Sequence, residues 1–242
     1  MSEAASLLPS IATNYRDYET FKGHFAYQGS ALYNLIFDRN ADYISVKKRH
    51  VATASLQKLF DAAFMISSKI GFHEMSLRDL SRETSISMGS IYACIGKKEN
   101  IAIIVKDLIN TLSQQNLNAV IELPSAIEKL ETYIRLQFYT SSLLRPWYAF
   151  LYMETRCLPQ QHQEESKSIE LRTISNLEKL IRDSLPIKAL SETKISFLAN
   201  TILALLQDWY LKPWKHSNEN EDIECYFDNI LFIAQPFLRL PS

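Results

Sequence analysis

The stretch SLRDLSRETSISMGSIYACIGKKENI, running from Ser76 to Ile101, decides how the chain is read. Its spacing gives two short helices joined by a tight turn, then the start of a third. Ser76 is placed to cap the first helix, and Asp79 three residues on makes a near-variant of a capping box. Leu77 and Leu80 supply an apolar stripe, and Thr84-Ser85 marks the break. Ser87 is placed to cap the second helix, where Ile91 and Ile95 fall four residues apart on the inward face. The outward face carries Ser90, Tyr92 and Ala93, slim or hydroxylated residues that suit a helix lying close to another surface. This is the pattern of a helix-turn-helix that reads DNA.

With Gly71-Phe72, Ser76, Arg78-Asp79-Leu80-Ser81, Ile86-Ser87, Gly89-Ser90-Ile91-Tyr92, Ile95, Lys98-Glu99 and Ile101, the sequence resembles the N-terminal domain of the TetR/AcrR family of transcriptional regulators. Upstream, Leu59 to Phe64 and Ile66 look like that family's first helix, so the resemblance covers 46–106. Met88 stands where a Lys is common and bears on one expected backbone contact. Cys94-Ile95 replaces an aromatic pair, and Ser67 stands where a Phe is usual; these touch packing only.

Charge follows the same division. The chain holds 26 basic and 27 acidic residues for a net charge of −1. Residues 44–107 hold ten basic against six acidic side chains, a net +4, which leaves −5 for the rest. A basic head on an acidic body suits a nucleic-acid reader. Position on the second helix makes Ser87, Met88, Ser90 and Tyr92 candidates for the groove, and Gly89 would allow close approach to the backbone. The resemblance adds Ser76, Tyr92 and Lys98 as phosphate contacts and Arg78 as a contact to phosphate or base. Lys48 and Lys97 complete the candidate DNA-binding set. Met88 would meet a thymine methyl.

The remaining totals narrow the class. A composition 47% hydrophobic and 22% charged is that of a globular protein with apolar mass for a core. Five Gly and eight Pro fit long helices better than a turn-rich β protein. Cys94, Cys157 and Cys225 lack metal-ligand spacing and suggest a reducing compartment. Neither a secretory signal nor a run of about 18 apolar residues is visible, so a cytoplasmic location off the membrane is expected. The five His are scattered, and Glu164-Glu165 reads as a solvated helix face. With neither a phosphate loop nor a nucleophile elbow, no catalytic residue, metal ligand or cofactor is assigned, and an enzyme is not expected.

The architecture expected is all-α. Residues 1–43 form a partly helical N-terminal extension, in which 28–38 is helical; it reads as an arm packed on the domain, with Arg16, Lys22 and Arg39 as the alternative outside contacts. Residues 44–106 form the helix-turn-helix domain, opened by one helix over 44–70 whose inward stripe ends at Ile70. A helix from 97 or 98 to 118 links the head to the body, and residues 107–242 form that helical body, with further helices from Pro124 to 142, from Pro146 to 157, over 160–185 closed by Pro186, over 191–211, and over 221–237 after a polar loop at 215–220. Ile127 and Leu171 belong to apolar stripes of this body.

Such bodies in the family bind a small molecule between helices. Phe138, Trp147, Phe150, Leu151 and Trp209 are therefore effector-pocket candidates, beside the plainer reading of them as core. Tyr152 to Pro159 is similar to a segment of acyl-CoA- or fatty-acid-responsive relatives, which makes a fatty acyl group or acyl-CoA the candidate effector. The last two helices are the dimerisation candidates through Ile195, Leu198, Ile202, Leu206 and Ile230. Two heads would then fall about 34–36 Å apart on a near-palindromic operator. The resemblance thus implies a homodimeric, ligand-responsive regulator of double-stranded DNA, a repressor released by its effector. A ligand-sensing or adaptor protein of the same fold that does not read DNA is the alternative.

Overall fold

The computed structural model describes residues 16–157, 160–185, 190–216 and 222–238. Among them the regular elements are helices: α1 (Tyr18–His24), α2 (Ser30–Arg39), α3 (Arg49–Ile70), α4 (Leu77–Thr84), α5 (Met88–Ile95), α6 (Glu99–Val120), α7 (Ala126–Leu143), α8 (Arg145–Glu154), α9 (Gln160–Ser184), α10 (Glu192–Leu211) and α11 (Ile223–Leu238). Short 3-10 turns lie at Thr155–Cys157 and Pro213–Lys215. The expectations for Leu158, Pro159, Pro186 and the 217–220 part of the polar loop lie outside the described residues.

The chain divides into two compact units, residues 25–110 with 146–167, and residues 1–24 with 111–145 and 168–242. In the first, α3 is the central rod. Ala52, Leu56, Leu59, Phe60 and Ala63 recur at helical spacing and are almost wholly buried, so one face of α3 forms the core on which α2, α4 and α5 lie. Leu80 of α4 and Ile91 and Ile95 of α5 close that core at 0% exposure. Trp147 of α8 stacks on Phe60 at 4.8 Å between ring centroids, and Phe150 meets Phe64 at 5.3 Å and Phe72 at 5.2 Å. Clusters of this kind contribute beyond the area they bury.

In the second unit, α7 is the centre. Leu130, Tyr133, Ile134 and Phe138 are all at 0% exposure, and α1, α10 and α11 lie against this helix. Phe138 meets Trp209 at 5.4 Å, Tyr226 at 5.7 Å and Phe227 at 6.0 Å. Tyr139 donates to the Glu224 carboxylate at 2.7 Å, and the Tyr18 N–H at the start of α1 donates to the same group at 2.6 Å. A helix at 18–24 was not expected from the sequence.

Several boundaries differ from the sequence reading. Residues 44–48 are not helical, because the Ser45 main chain is bonded to the carbonyl of Ala93 instead of to its own helix. The helix expected at 28–38 spans Ser30–Arg39. Ile70, Ile127 and Leu171, assigned to buried stripes, are 50%, 41% and 63% exposed. Ile70 and Ile127 lie within a turn of a helix end, where the apolar face has run past its neighbours.

Candidate nucleic-acid interface

Helices α4 and α5 are eight residues each, too short to hold themselves without local help. For α4 the help is a full capping box. The Asp79 N–H donates to Ser76 Oγ at 3.2 Å, and the Ser76 N–H donates to Asp79 Oδ2 at 2.9 Å. The Ser76 hydroxyl and N–H, with Arg82 beside them, hold the Asp79 carboxyl below the usual carboxylate range. For α5, Ser87 Oγ accepts from the Ser90 N–H at 3.3 Å.

The turn between them is fixed by hydroxyls. Thr84 Oγ1 donates to the Leu80 carbonyl at 2.7 Å and accepts from the Ile86 N–H at 3.2 Å. Ser81 Oγ donates to the Ile86 carbonyl at 2.7 Å. Ser85 between them takes a left-handed conformation, φ 56°, a region that polar residues tolerate better than β-branched ones.

On this frame Ser76, Arg78, Ser87, Gly89 and Ser90 are exposed, as are Lys48 and Lys97, and Tyr92 is 53% exposed. Met88 is half-buried. Gly89 has an ordinary helical place, and a Cβ added there would meet nothing within 4 Å. Nothing among the described residues requires a glycine at that position, yet glycine costs a helix up to ~1 kcal/mol relative to alanine. Lys98 is placed differently from its neighbours. Its ammonium donates to the carbonyls of Phe72 (3.2 Å) and His73 (2.8 Å) and lies 5.3 Å from the centre of the Phe72 ring. It thus ties the α3–α4 connection together. Glu154 accepts the Phe72 N–H at 3.2 Å and fixes the same connection.

The other candidates fall into separate groups. Trp147 and Phe150 are buried at 5% exposure among Tyr33, Phe60, Phe64 and Phe72, and Leu151 is half-buried. Phe138 and Trp209 meet one another in the second unit. Ile195, Leu198, Ile202, Leu206 and Ile230 are all at 3% exposure or less within the chain's own core, whereas Phe197 of α10 and Phe232 of α11 are each 70% exposed. In the extension, Arg39 forms a two-point pair with Asp107, Lys22 pairs with Glu19, and the Arg16 carbonyl accepts from Arg135.

Sequence reasoning missed an uncharged polar patch inside the second unit. Gln137 Nε2 lies 2.9 Å from Tyr133 Oη and 3.2 Å from Ser113 Oγ, and Asn116 donates to Thr140 Oγ1 at 3.3 Å. The available signal was Tyr133 and Gln137 four residues apart on an otherwise apolar stripe. Among the described residues no helix is long and apolar enough to cross a membrane, and no cluster of three or more His, Cys, Asp or Glu is arranged to hold a metal.

Among the described residues the regular elements are all helices, and a capped helix-turn-helix that lies on a longer helix is the fold of TetR-family transcriptional regulators, as in one of its structural neighbours. The TetR-family regulator PfmR from Thermus thermophilus superimposes with a TM-score of 0.61 at 15% identity, over 76% of this chain and 99% of that one. FadR from Bacillus subtilis in complex with stearoyl-CoA gives a TM-score of 0.55 at 17% identity, over 77% of this chain and 100% of that one. In sequence the chain is 23% identical over 193 residues to the HTH-type transcriptional regulator HbdR of Aromatoleum sp. (strain CIB), covering 79% of this chain and 81% of that protein. No family model matches the sequence.

Proposed function

We propose that this chain is a TetR-family, ligand-responsive transcriptional regulator that reads double-stranded DNA through α5, most simply as a homodimeric repressor. The observation that carries this reading is the outer face of α5. It presents Ser87, Ser90 and Tyr92 to solvent around Gly89, a glycine that nothing among the described residues requires. A helix that must approach a sugar-phosphate backbone accounts for both the slim surface and the retained cost. The reading head lies within 44–106, with Lys48, Ser76, Arg78, Tyr92 and Lys97 facing phosphates. Lys98 contributes by holding the α3–α4 connection.

Residues 107–242 supply the effector and dimer functions, and the chain acts in the cytoplasm without cofactor or catalysis. A homodimer would present the exposed apolar residues Phe197 and Phe232 to a partner, with Ile195, Leu198, Ile202, Leu206 and Ile230 as the core beneath them. The effector is a small apolar or acyl-type molecule. The likeness to FadR in complex with stearoyl-CoA supports this class. Trp147, Phe150 and Leu151 in the first unit and, separately, Phe138 and Trp209 in the second are the candidate apolar linings. Bound ligand would favour a conformation whose heads no longer match the operator.

A mobility-shift assay on the DNA upstream of its own gene tests the reading, with Tyr92→Ala as the companion variant and stearoyl-CoA as the added ligand. Selective binding that Tyr92→Ala weakens and the acyl-CoA reverses is expected. Retained regulation by Tyr92→Ala would point instead to a sensor or adaptor that does not read DNA.

A further inference from the structure

The short helix α5 ends at Ile95, which leaves the carbonyls of Tyr92, Ala93, Cys94 and Ile95 beyond the reach of its own internal bonds. Three of these are met in distinct ways. The Gly96 N–H donates to Tyr92 at 2.9 Å. Ser45 donates to Ala93 twice, from its N–H at 2.8 Å and from its Oγ at 3.2 Å. Asn100 Nδ2 donates to Ile95 at 2.8 Å. Beyond the adjoining cap residue Gly96, two of the three carbonyls are thus held by residues that do not adjoin α5, one of them 48 positions upstream.

Ser45 is itself held in place. Asn40, 4% exposed, bonds the Ile36 carbonyl through its N–H and its side chain, and its own carbonyl accepts from the N–H groups of Tyr43 and Ile44. Ile44 is buried at 6% exposure, so the stretch of chain leading to Ser45 is pinned on both sides. Asn100 is 5% exposed, and among the described residues its Oδ1 has no hydrogen-bond partner. A buried acceptor left unpaired costs stability, and against that cost the side chain supplies the Nδ2 bond to the Ile95 carbonyl. Gly96 makes room for it: its φ is +67°, and a Cβ there would lie 2.9 Å from Asn100 Nδ2.

We propose that residues 40–48 and Asn100 form a collar that sets the position of the DNA-reading helix, with Ser45 and Asn100 as its positioning residues. The proposal rests on the DNA-reading function above. Reading base edges needs α5 held at one angle and one depth: Ser87 caps its start, buried Ile91, Cys94 and Ile95 seat its inner face, and the collar fixes the carbonyls at its end. The end of the N-terminal extension, from Asn40 to Tyr43, is on this view a working part of the reading head.

Asn100→Asp keeps the shape and removes the donor, and Ser45→Pro removes the main-chain donor from outside any helix. Amide hydrogen exchange of the full chain at residues 92–96 is read beside affinity for an operator selected from random duplexes, with thermal melting as the folding control. Exchange and operator dissociation constant should each rise about tenfold in both variants, as for loss of a cap, while nonspecific affinity holds. Unchanged exchange in both variants overturns the collar. Faster exchange with unchanged operator affinity overturns its positioning role. If the wild-type chain selects no operator while exchange still rises, the DNA reading fails and the collar on α5 stands.

Discussion

At the scale of single residues, Gly89 separates stability from function. Its place is helical, and a Cβ added there meets nothing within 4 Å. Gly89→Ala should therefore raise unfolding stability by ~0.5–1 kcal/mol, measured by urea titration, while weakening operator binding about tenfold or more. A stable variant with unchanged affinity would mean that nothing approaches that face. Asp79 gives a prediction in pH. Its carboxyl is held below the usual range by Ser76 first and Arg82 after, so the ionised form is favoured in the folded head. A lowered native pKa contributes stability above the unfolded pKa and loses it as pH falls through the folded one. Ser76→Ala should lower the melting temperature by about 2–4 °C at neutral pH, and the gap from wild type should narrow in the acid range below the ordinary Asp pKa.

At the scale of elements, capping and spacing carried most of what the sequence could tell. Ser76 with Asp79, Ser87 before α5, and the Ile91–Ile95 pair are local signals, and each lies in the structure as its spacing implied. The start of α3 was not legible, because Ile44 to Lys48 suits a helix locally and only the distant Ala93 carbonyl draws Ser45 away. Helix α1 was missed for a similar reason, since Tyr18 and Phe21 find their partners Glu224 and Tyr139 far along the chain. The aromatics of α8 show the same limit. Trp147 and Phe150 read equally as pocket or core, and their ring partners Phe60, Phe64 and Phe72 lie on and just beyond α3. Trp147→Ala should accordingly destabilise the fold by ~3–5 kcal/mol in a urea titration. A loss well under that would show that the ring is poorly packed there and open to a ligand.

At the scale of the whole molecule, charge division, helix-turn-helix and helical body are what the proposed regulator rests on, and two outcomes test it. Phe197 and Phe232 are large, apolar and 70% exposed, and in the proposed dimer a second copy covers them. Phe197→Asp combined with Phe232→Asp should turn the proposed dimer into a folded monomer in sedimentation and lower operator affinity by at least about tenfold, because one head then binds alone. The most direct test of DNA reading is selection of the full chain against random DNA duplexes at several salt concentrations. Enrichment of a near-palindromic site, with affinity that falls steeply and log-linearly as salt rises, is the expected result. Recovery of unselected sequence, or binding without preference among duplexes, would contradict it.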